Sequence, residues 1–316
     1  MSIIVFGSIN MDLVTRAKRL PLTGETLLGH SFTTVPGGKG ANQAVACAKL
    51  GAKTQMVGRV GGDSFGQTLI EALEKQGVYT EAVFVDSSTT SGIATITVDD
   101  QGQNNIIVVQ AANANVANAD LERLAKLLTP ETILLLQLEI PLEIVLKAAK
   151  LAKAAGATVI LDPAPAQNLP DELYKHIDFL TPNETEAAAL VGFTLDNLEN
   201  TKRAARILLD KGVKNVIIKL AERGVFVSTE TETRHYPALQ VKAIDTVAAG
   251  DAFNGALAEA LNRNSSLEQA IQQAIQVGAY AVTKSGAQSA MPNNDELSAF
   301  LKSNLHALTD SKSSAR

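Results

Sequence analysis

The sequence predicts an α/β protein with three layers, in which helices cover both faces of a doubly wound, mostly parallel sheet, and a smaller second sheet stands apart from it. Short runs rich in Val, Ile and Leu alternate with longer segments of helical period, and the runs are continuously apolar, as in buried parallel strands. One region contains adjacent strand-like segments with no helix between them. At 316 residues, 46% of them hydrophobic, the chain is long enough for one large domain.

The main sheet is predicted from apolar runs, and its covering helices from the segments between them. The strands are expected at residues 3–6, 54–58, 132–138, 158–162, 178–182 and 215–220. The helices are expected at residues 40–50, 64–76, 118–128, 141–155, 183–190 and 198–211, with two or three more between 264 and 300. Gly77 and Gly212 each follow a helical segment, which is where a C-terminal glycine is favoured.

The smaller sheet is predicted from residues 12–35 and 91–110. The segments "SGIATITV" and "NNIIVVQ" flank the turn "DDQG", a pattern typical of an antiparallel hairpin. Segments 12–17 and 26–35 also read as extended and fall outside the strand–helix alternation. We therefore expect a single domain over residues 1–304, with a small projecting sheet, followed by a polar and frayed tail at 305–316.

Composition excludes several classes of protein. A net charge of −5 and a pI near 5.5 argue against nucleic-acid binding, which requires a basic face. The apolar run "ILLLQLEI" is interrupted by Gln137 and Glu139, and the N-terminus lacks the basic region of a signal peptide. Cys47 is the single cysteine, so an intrachain disulfide cannot form, and the four histidines are scattered. A soluble cytoplasmic protein without nucleic-acid or membrane partners is expected.

Two glycine-rich or polar turns are candidate ligand-binding sites. "GSINMD" ends the first strand with Asn10 and Asp12, at the edge of the sheet where α/β proteins bind ligands. "PGGKGANQ" places Gly38 and Lys39 immediately before a helix, where the backbone can approach a polar or anionic group. Taken alone, "GSINMD" favours an ordinary Asx turn, whereas a structural glycine turn and a ligand site explain "PGGKGANQ" equally well.

The segment "TPNETE" also follows a predicted strand. Asn183 fits a helix N-cap with Glu186 as its capping-box partner. The alternative is that both oxygen-bearing side chains face the crevice and organise a magnesium ion, directly or through water. Taken alone, the segment favours the cap.

The segment "DTVAAGDAFNGALA" predicts an anion site with a base beside it. Ala248, Ala249 and Gly250 leave the first amides of the following helix accessible, and these amides carry the positive end of the helix dipole. The same field is expected to hold Asp251 ionised and ready to accept a proton at pH 7. Phosphoryl transfer to an alcohol needs this combination. A plain capping role for Asp251 does not explain Asp245 or the run of small residues.

Six motifs occur in one order: "GSINMD", "GGKGANQA", "QLEIPLE", "DPAPA", "TPNETE" and "DTVAAGDAFNGA". Their combination resembles the ribokinase-like superfamily of ATP-dependent sugar and nucleoside kinases, over residues 3 to 300. The resemblance implies that a sugar lies between the main sheet and the small sheet, which acts as a lid. It further implies D-ribose as the acceptor, phosphorylated at its 5-hydroxyl, with fructose or a nucleoside as alternatives. A sugar sensor without turnover is a further alternative.

The resemblance also assigns roles to individual residues. Asp251 would be the general base, and the 248–251 turn the anion hole. The expected sugar contacts are Asn10, Asp12, Gly38, Lys39, Asn42, Glu139 and Asp251. The expected nucleotide contacts are Asn183, Lys219, Ala221, Glu222, Gly224, Gly250 and Gln276. Asn183 and Glu186 would organise Mg²⁺, and an activating K⁺ would bind Asp245, Val247, Ala281, Lys284 and Gly286. The lid sheets of two chains would pair in a homodimer.

The chain departs from the family pattern at two positions. Ala221 stands in "LAERG", where the family usually has a glycine close to the ATP phosphates. An alanine is strained there if the backbone has a positive φ. Ala290 stands where related enzymes often have a serine near the cation site. These changes bear on nucleotide affinity and cation dependence and leave the predicted reaction unchanged.

Overall fold

The computed structural model describes the backbone of residues 2–313 and the side chains of residues 2–304. Met1 and residues 314–316 lie outside the described part. The strands, in chain order, are β1 Ser2–Phe6, β2 Asn10–Ala17, β3 Gly29–Gly37, β4 Thr54–Gly61, β5 Tyr79–Asp86, β6 Gly92–Val98, β7 Asn104–Val109, β8 Thr132–Leu136, β9 Thr158–Leu161, β10 Phe179–Leu180, β11 Asn215–Lys219, β12 Val225–Thr229 and β13 Thr233–Tyr236.

The helices alternate with the strands of the main sheet, as predicted. They are α1 Lys39–Lys49, α2 Ser64–Lys75, α3 Asn118–Ala125, α4 Leu142–Ala154, α5 Asp171–Tyr174, α6 Glu184–Val191, α7 Leu198–Asp210, α8 Ala249–Asn262, α9 Leu267–Ala281 and α10 Asn294–Ser313. Helix α10 includes residues 305–313, so this part of the expected frayed tail is helical instead. Among the described residues, no helix combines the length and apolar character needed to cross a bilayer.

The main sheet has nine strands in the order β13-β12-β11-β10-β9-β8-β1-β4-β5. The seven neighbouring strands β11, β10, β9, β8, β1, β4 and β5 pair in parallel. Strands β12 and β13 are added antiparallel beside β11, at one edge. Successive residues of β1 point to opposite faces: Ile3 and Val5 join the core cluster that contains α1 and α8, and Ile4 and Phe6 join the cluster that contains α4 and α7. The predicted three-layer fold is confirmed.

The smaller sheet has four strands in the order β3-β2-β6-β7. The predicted hairpin is present as β6 and β7, and the amide of Asp99 donates to the carbonyl of Gln103 across its turn. Strands β2 and β6 pair in parallel, with Asn10 opposite Gly92. Because β2 begins at Asn10, four residues after β1 ends at Phe6, the chain passes directly from the main sheet into the lid beside the predicted sugar contacts.

Candidate active site

The carboxyl ends of the parallel strands face a cavity of about 620 Å³. A left-handed turn leads into α8, and Ala248 has a φ of 68° as its N-cap. The first amides of a helix have no intrahelical partner, so this turn presents donors to an anion. The residues in the cavity wall include Lys39, Asp162, Asn183, Glu186, Lys219, Ala221, Glu222, Gly224, Ala248, Ala249, Gly250, Asp251, Phe253, Ile275, Gly278 and Ala279.

Asp251 lies in the first turn of α8 and is only 5% exposed. Asn42 Nδ2 donates to its Oδ2 at 3.0 Å, and Gln43 Nε2 donates to its Oδ1 at 3.1 Å. Burial raises the pKa of Asp251 to about 6, and the positive charge of Lys39 opposes this shift. The field of the helix N-terminus therefore does not set this pKa by itself, because desolvation outweighs it. A pKa near 6 still leaves most of Asp251 ionised at pH 7.

The predicted sugar contacts lie beside Asp251, at the junction with the lid. Burial raises the pKa of Asp12 to about 7, and the charges of Glu139 and Asp251 add to this shift. Glu139 Oε2 accepts hydrogen bonds from the backbone amide of Lys39 at 3.2 Å and from Ser8 Oγ. The side chains of this region are therefore mostly carboxylates and amides, which suit the hydroxyls of a sugar.

Two glycines let the glycine loop approach the sugar contacts. A Cβ on Gly37 would lie 2.3 Å from Asp12 Oδ2, and a Cβ on Gly38 would lie 2.7 Å from the backbone nitrogen of Asn10. Gly38 also has a φ of 90°, which side-chain-bearing residues rarely adopt. The requirement for glycine at these positions is steric and conformational.

Two lysines provide positive charge in the cavity. Burial lowers the pKa of Lys39, but the surrounding carboxylates, above all Asp251 and Asp162, outweigh burial and raise that pKa above its ordinary value. Lys39 is therefore charged at neutral pH. Lys219 Nζ donates to Asp162 Oδ1 at 2.9 Å and lies 3.3 Å from the position of a Cβ on Gly250. Its ammonium group thus stands next to the turn predicted as the anion hole.

Most of the predicted nucleotide contacts lie in the cavity wall, with one exception. Gln276 is outside the wall, which α9 forms instead with Ile275, Gly278, Ala279 and the following Val282. These four positions recur at intervals of three and four residues and so share one face of α9. A contact between Gln276 and the nucleotide stays a prediction.

Asn183 and Glu186 form a reciprocal capping box at the start of α6. Asn183 Oδ1 accepts from the amide of Glu186 at 2.8 Å, and Glu186 Oε2 accepts from the amide of Asn183 at 2.7 Å. Both side chains also line the cavity. The described residues contain no group of three or more His, Cys, Asp or Glu side chains arranged around a metal. Asn183 and Glu186 offer hard oxygen donors at the cavity wall, which fit Mg²⁺, an ion that usually keeps several water ligands and binds substrate phosphates.

The two segments expected to bind K⁺ are joined by Asp245. Its Oδ1 accepts from the amide of Val247 at 2.9 Å, and its Oδ2 accepts from the amide of Gly286 at 3.0 Å. The carbonyl of Ala281 accepts from the amide of Lys284 at 3.1 Å within the same turn. The amide of Asp245 also donates to the carbonyl of Val282 at 3.2 Å, which brings the 281–286 segment against Asp245. Carboxylate and carbonyl oxygens are donors that suit a hard cation. Ala290 is 1% exposed and packs in the hydrophobic core.

Ala221 has a positive φ, the backbone conformation in which an alanine is strained. Its φ is 48°, and its side chain is exposed at the cavity wall in the 3₁₀ turn Ala221–Arg223. Gly224, which ends this turn, has a φ of 94°, and a Cβ there would lie 2.1 Å from the carbonyl oxygen of Tyr236. The turn is therefore left-handed at both ends, but only one end has the glycine that this conformation favours.

Sequence reasoning assigned no role to three buried residues of the site. Asp162 begins the "DPAPA" motif, and Gln43 lies within "GGKGANQA", so both were inside recognised motifs. Asn113 lies outside them; its Nδ2 donates to Asn10 Oδ1 at 2.7 Å, and its Oδ1 accepts from the amide of Ile9 at 3.0 Å. Asn113 thereby helps to orient the side-chain amide of Asn10. No sequence pattern marked it.

Fold and site together define a small-molecule kinase, with a buried carboxylate beside a left-handed turn into a helix N-terminus, at the carboxyl edge of a parallel sheet. The model of the pfkB family of carbohydrate kinases matches residues 1–294. The chain is 41% identical to a ribokinase of Haemophilus influenzae, covering 94% of this chain and 97% of that protein. It is 39% identical to a deoxyribokinase of Salmonella typhi, covering 96% and 100%.

A solved structure is similar over nearly the whole chain. It is the ribokinase of Arabidopsis thaliana complexed with ribose and ATP, which shares 35% identity with a TM-score of 0.87 and covers 95% of this chain and 98% of its own. The chain therefore belongs to the pfkB family of carbohydrate kinases. The resemblance read from the motifs is confirmed.

Proposed function

We propose that this protein transfers the terminal phosphoryl group of ATP to the 5-hydroxyl of D-ribose, giving ribose 5-phosphate. The observation that carries the proposal is the buried Asp251 carboxylate, which has a pKa near 6 and lies between the carboxylate-rich region under the lid and the anion-binding turn. The similarity to ribokinases over nearly the full length supports ribose as the acceptor.

The side chains divide the reaction between them. Asp251 takes the proton of the attacking hydroxyl, which makes that oxygen a better nucleophile. The first amides of α8, with the Lys219 ammonium beside Gly250, stabilise the negative charge on the phosphoryl group during its transfer. Asn10, Asp12, Asn42 and Glu139 orient the sugar so that its primary hydroxyl points at Asp251. Magnesium, held by the ATP phosphates and water near Asn183 and Glu186, would neutralise phosphate charge.

The acceptor is the first point to test, because one relative is a deoxyribokinase. ADP release should be measured with D-ribose, 2-deoxy-D-ribose, D-arabinose, D-fructose and adenosine, and the product identified by phosphorus NMR. A site whose buried polar groups bind particular hydroxyls disfavours analogues that lack them. Ribose should therefore give the highest kcat/KM, with phosphate on its 5-oxygen. A higher value for deoxyribose, fructose or adenosine would overturn the acceptor and keep the kinase.

The alternative to an enzyme is a sugar sensor, which binds ribose but does not phosphorylate it. The intact Asp251, Lys219 and capping pair Asn183–Glu186 count against it. Isothermal titration of ribose, run beside the ADP assay, separates the two readings. Ribose binding with no ADP release above the Asp251→Asn background would favour the sensor.

Cation dependence and assembly extend the proposal. K⁺ should bind at Asp245, with carbonyls of Val247 and the 281–286 segment, and stiffen the neighbouring anion hole.

Two lid sheets should pair, because the lid exposes Phe32 at 61% and Ile107 at 68%, and all residues of β7 are exposed. Ile107→Glu should give a monomer in light scattering, whereas Glu71→Gln on α2 should leave a dimer. We further propose a cytoplasmic location.

A further inference from the structure

A buried glutamine to which the proposed reaction gives no role contacts the catalytic base. Gln43 lies on α1 and is fully buried. Its Nε2 donates both to Asp251 Oδ1, at 3.1 Å, and to Asp162 Oδ2, at 3.0 Å. Its Oε1 accepts from Gln137 Nε2 at 2.7 Å. Both amide hydrogens and the amide oxygen of this side chain are therefore engaged.

These contacts define one orientation of the Gln43 amide. A primary amide has two N–H donors, and here each of them faces a different carboxylate. Rotation of the amide by half a turn would place its oxygen against Asp251 and Asp162 and leave a buried donor facing Gln137. Such an arrangement loses charge-assisted hydrogen bonds and adds repulsion, so it is strongly disfavoured.

The surrounding backbone holds Gln43 against the base. Gly255 on α8 has no side chain, and a Cβ there would lie 2.4 Å from Ala46 Cβ and 3.0 Å from the carbonyl oxygen of Gln43. Helices α1 and α8 can therefore approach closely at this point. On the other side, a Cβ on Gly7 would lie 1.9 Å from Gln137 Oε1, so Gly7 makes room for the residue that orients Gln43.

We infer that Gln43 is a positioning residue, which fixes the carboxylate of Asp251 and connects it through Asp162 to the Lys219 ammonium. The inference rests on the proposed function. Asp162 Oδ1 accepts from Lys219 Nζ at 2.9 Å. The side chains of Gln43 and Asp162 therefore link Asp251 to the Lys219 ammonium. Because a misplacement of about 1 Å can reduce turnover by about 10²-fold, such a link acts on kcat more than on binding.

Loss of Gln43 should also change the pH at which the base works. The groups that face Asp251 are Lys39 and Asn42 from α1, Asp162 after β9 and Asp12 from β2. Burial and the charge of Asp162 raise the pKa of Asp251, whereas Lys39, Asn42 and Gln43 lower it. Removal of the Gln43 donor takes away one stabilising contact and leaves two carboxylates without the amide between them. The pKa of Asp251 must then rise.

The test uses Gln43→Met, which keeps the length and volume of the side chain but removes its hydrogen bonds. We expect kcat to fall by about 10- to 100-fold, with the KM of ATP and of the sugar changing by less than about threefold. The acid limb of the pH profile of kcat should move up by about one pH unit. Gln55→Met is the matched control. Gln55 lies at the start of β4, and its Nε2 also donates hydrogen bonds, to the carbonyls of Met56 and of Tyr79 in β5. Its kcat and pH profile should match those of the wild type.

Gln43→Glu keeps the shape and gives an independent reading if the methionine variant folds poorly. Its carboxylate places a third negative charge beside Asp251 and Asp162, so kcat should fall and the acid limb of the pH profile should move up at least as far as in Gln43→Met. Wild-type kcat with an unmoved acid limb in either variant would overturn the inference. All variants are compared with the wild type on the sugar that the wild-type enzyme phosphorylates best. If that sugar is not ribose, the proposed acceptor is rejected, whereas the role of Gln43 is still tested.

Discussion

Substitution of Ala221 by glycine tests whether this turn limits nucleotide binding. Alanine at a φ of 48° is in the left-handed region, which costs a residue with a Cβ about 1–2 kcal/mol. Glycine removes that cost, but its greater freedom in the unfolded chain returns about 0.4–1 kcal/mol. The net gain in the free energy of unfolding is therefore about 0.5–1 kcal/mol, which corresponds to a rise in Tm of about 1–3 °C.

The effect on the nucleotide has a separate cause. The methyl group of Ala221 is exposed at the cavity wall. At the predicted nucleotide position, this methyl group would keep a phosphate away from the backbone behind it. Glycine removes the methyl group and lets the turn adjust towards the ligand. If about 1 kcal/mol of strain is relieved in the complex, the KM of ATP should fall by about fivefold, while the KM of the sugar stays constant. The dissociation constant of ADP should fall in parallel, which excludes a purely kinetic change in KM.

The assay is steady-state ADP release with ATP varied at saturating sugar, together with ADP titration calorimetry and thermal unfolding. Ala111→Gly is the matched control, because Ala111 has a φ of 44° but lies in the 3₁₀ turn that follows β7 and outside the cavity wall. It should change Tm without changing the KM of ATP. An unchanged ATP constant in Ala221→Gly, or an equal fall in the control, would refute the argument that this methyl group limits nucleotide binding.

Three further outcomes are expected. Asp251→Asn should reduce kcat by about 10²–10⁴-fold while sugar binding survives, and more than about a tenth of wild-type turnover would reject the general base. In the wild type, kcat/KM should fall about tenfold per pH unit below a pKa of about 6, because protonated Asp251 cannot accept a proton; a profile flat to pH 5 would contradict this. Asp245→Ala should abolish the increase in rate with K⁺ over Li⁺ at constant ionic strength, and a retained increase would place the cation elsewhere.

The sequence predicted six of the nine strands of the main sheet: β1, β4, β8, β9, β10 and β11. Most of them contain an apolar run, because burial on both faces demands one. Three strands were missed: β5, β12 and β13 lie at or near the edges of the sheet. Strands β5 and β13 are partly exposed, so "YTEAVFVD" and "TRHY" lack a continuous apolar run. Strand β12 was missed although its short apolar run, Val225 to Val227, is buried.

The site was predictable where a motif is local and unpredictable where contacts join distant segments. The turn before α8 and the capping box before α6 are formed by neighbours in the chain, so their geometry follows from local sequence. Gln43 and Asp251 are 208 positions apart, and their hydrogen bond depends on how α1 and α8 pack. The inward face of α9 likewise depends on packing, so the sequence alone did not single out Ile275, which lies in the cavity wall.

The ionisation of Asp251 shows how two opposing effects determine the strength of the base. A helix N-terminus favours the carboxylate by about 0.3–1 kcal/mol at an exposed site, whereas burial of a carboxyl group can shift its pKa by several units. Lys39 and the amides of Asn42 and Gln43 offset only part of the burial, so the pKa settles near 6. A base with this pKa accepts protons more readily than an exposed aspartate, yet it is mostly ionised at pH 7. Charge on Lys39 therefore supports the base, because a neutral side chain at position 39 would raise the pKa of Asp251 and reduce the fraction of it that is ionised at neutral pH.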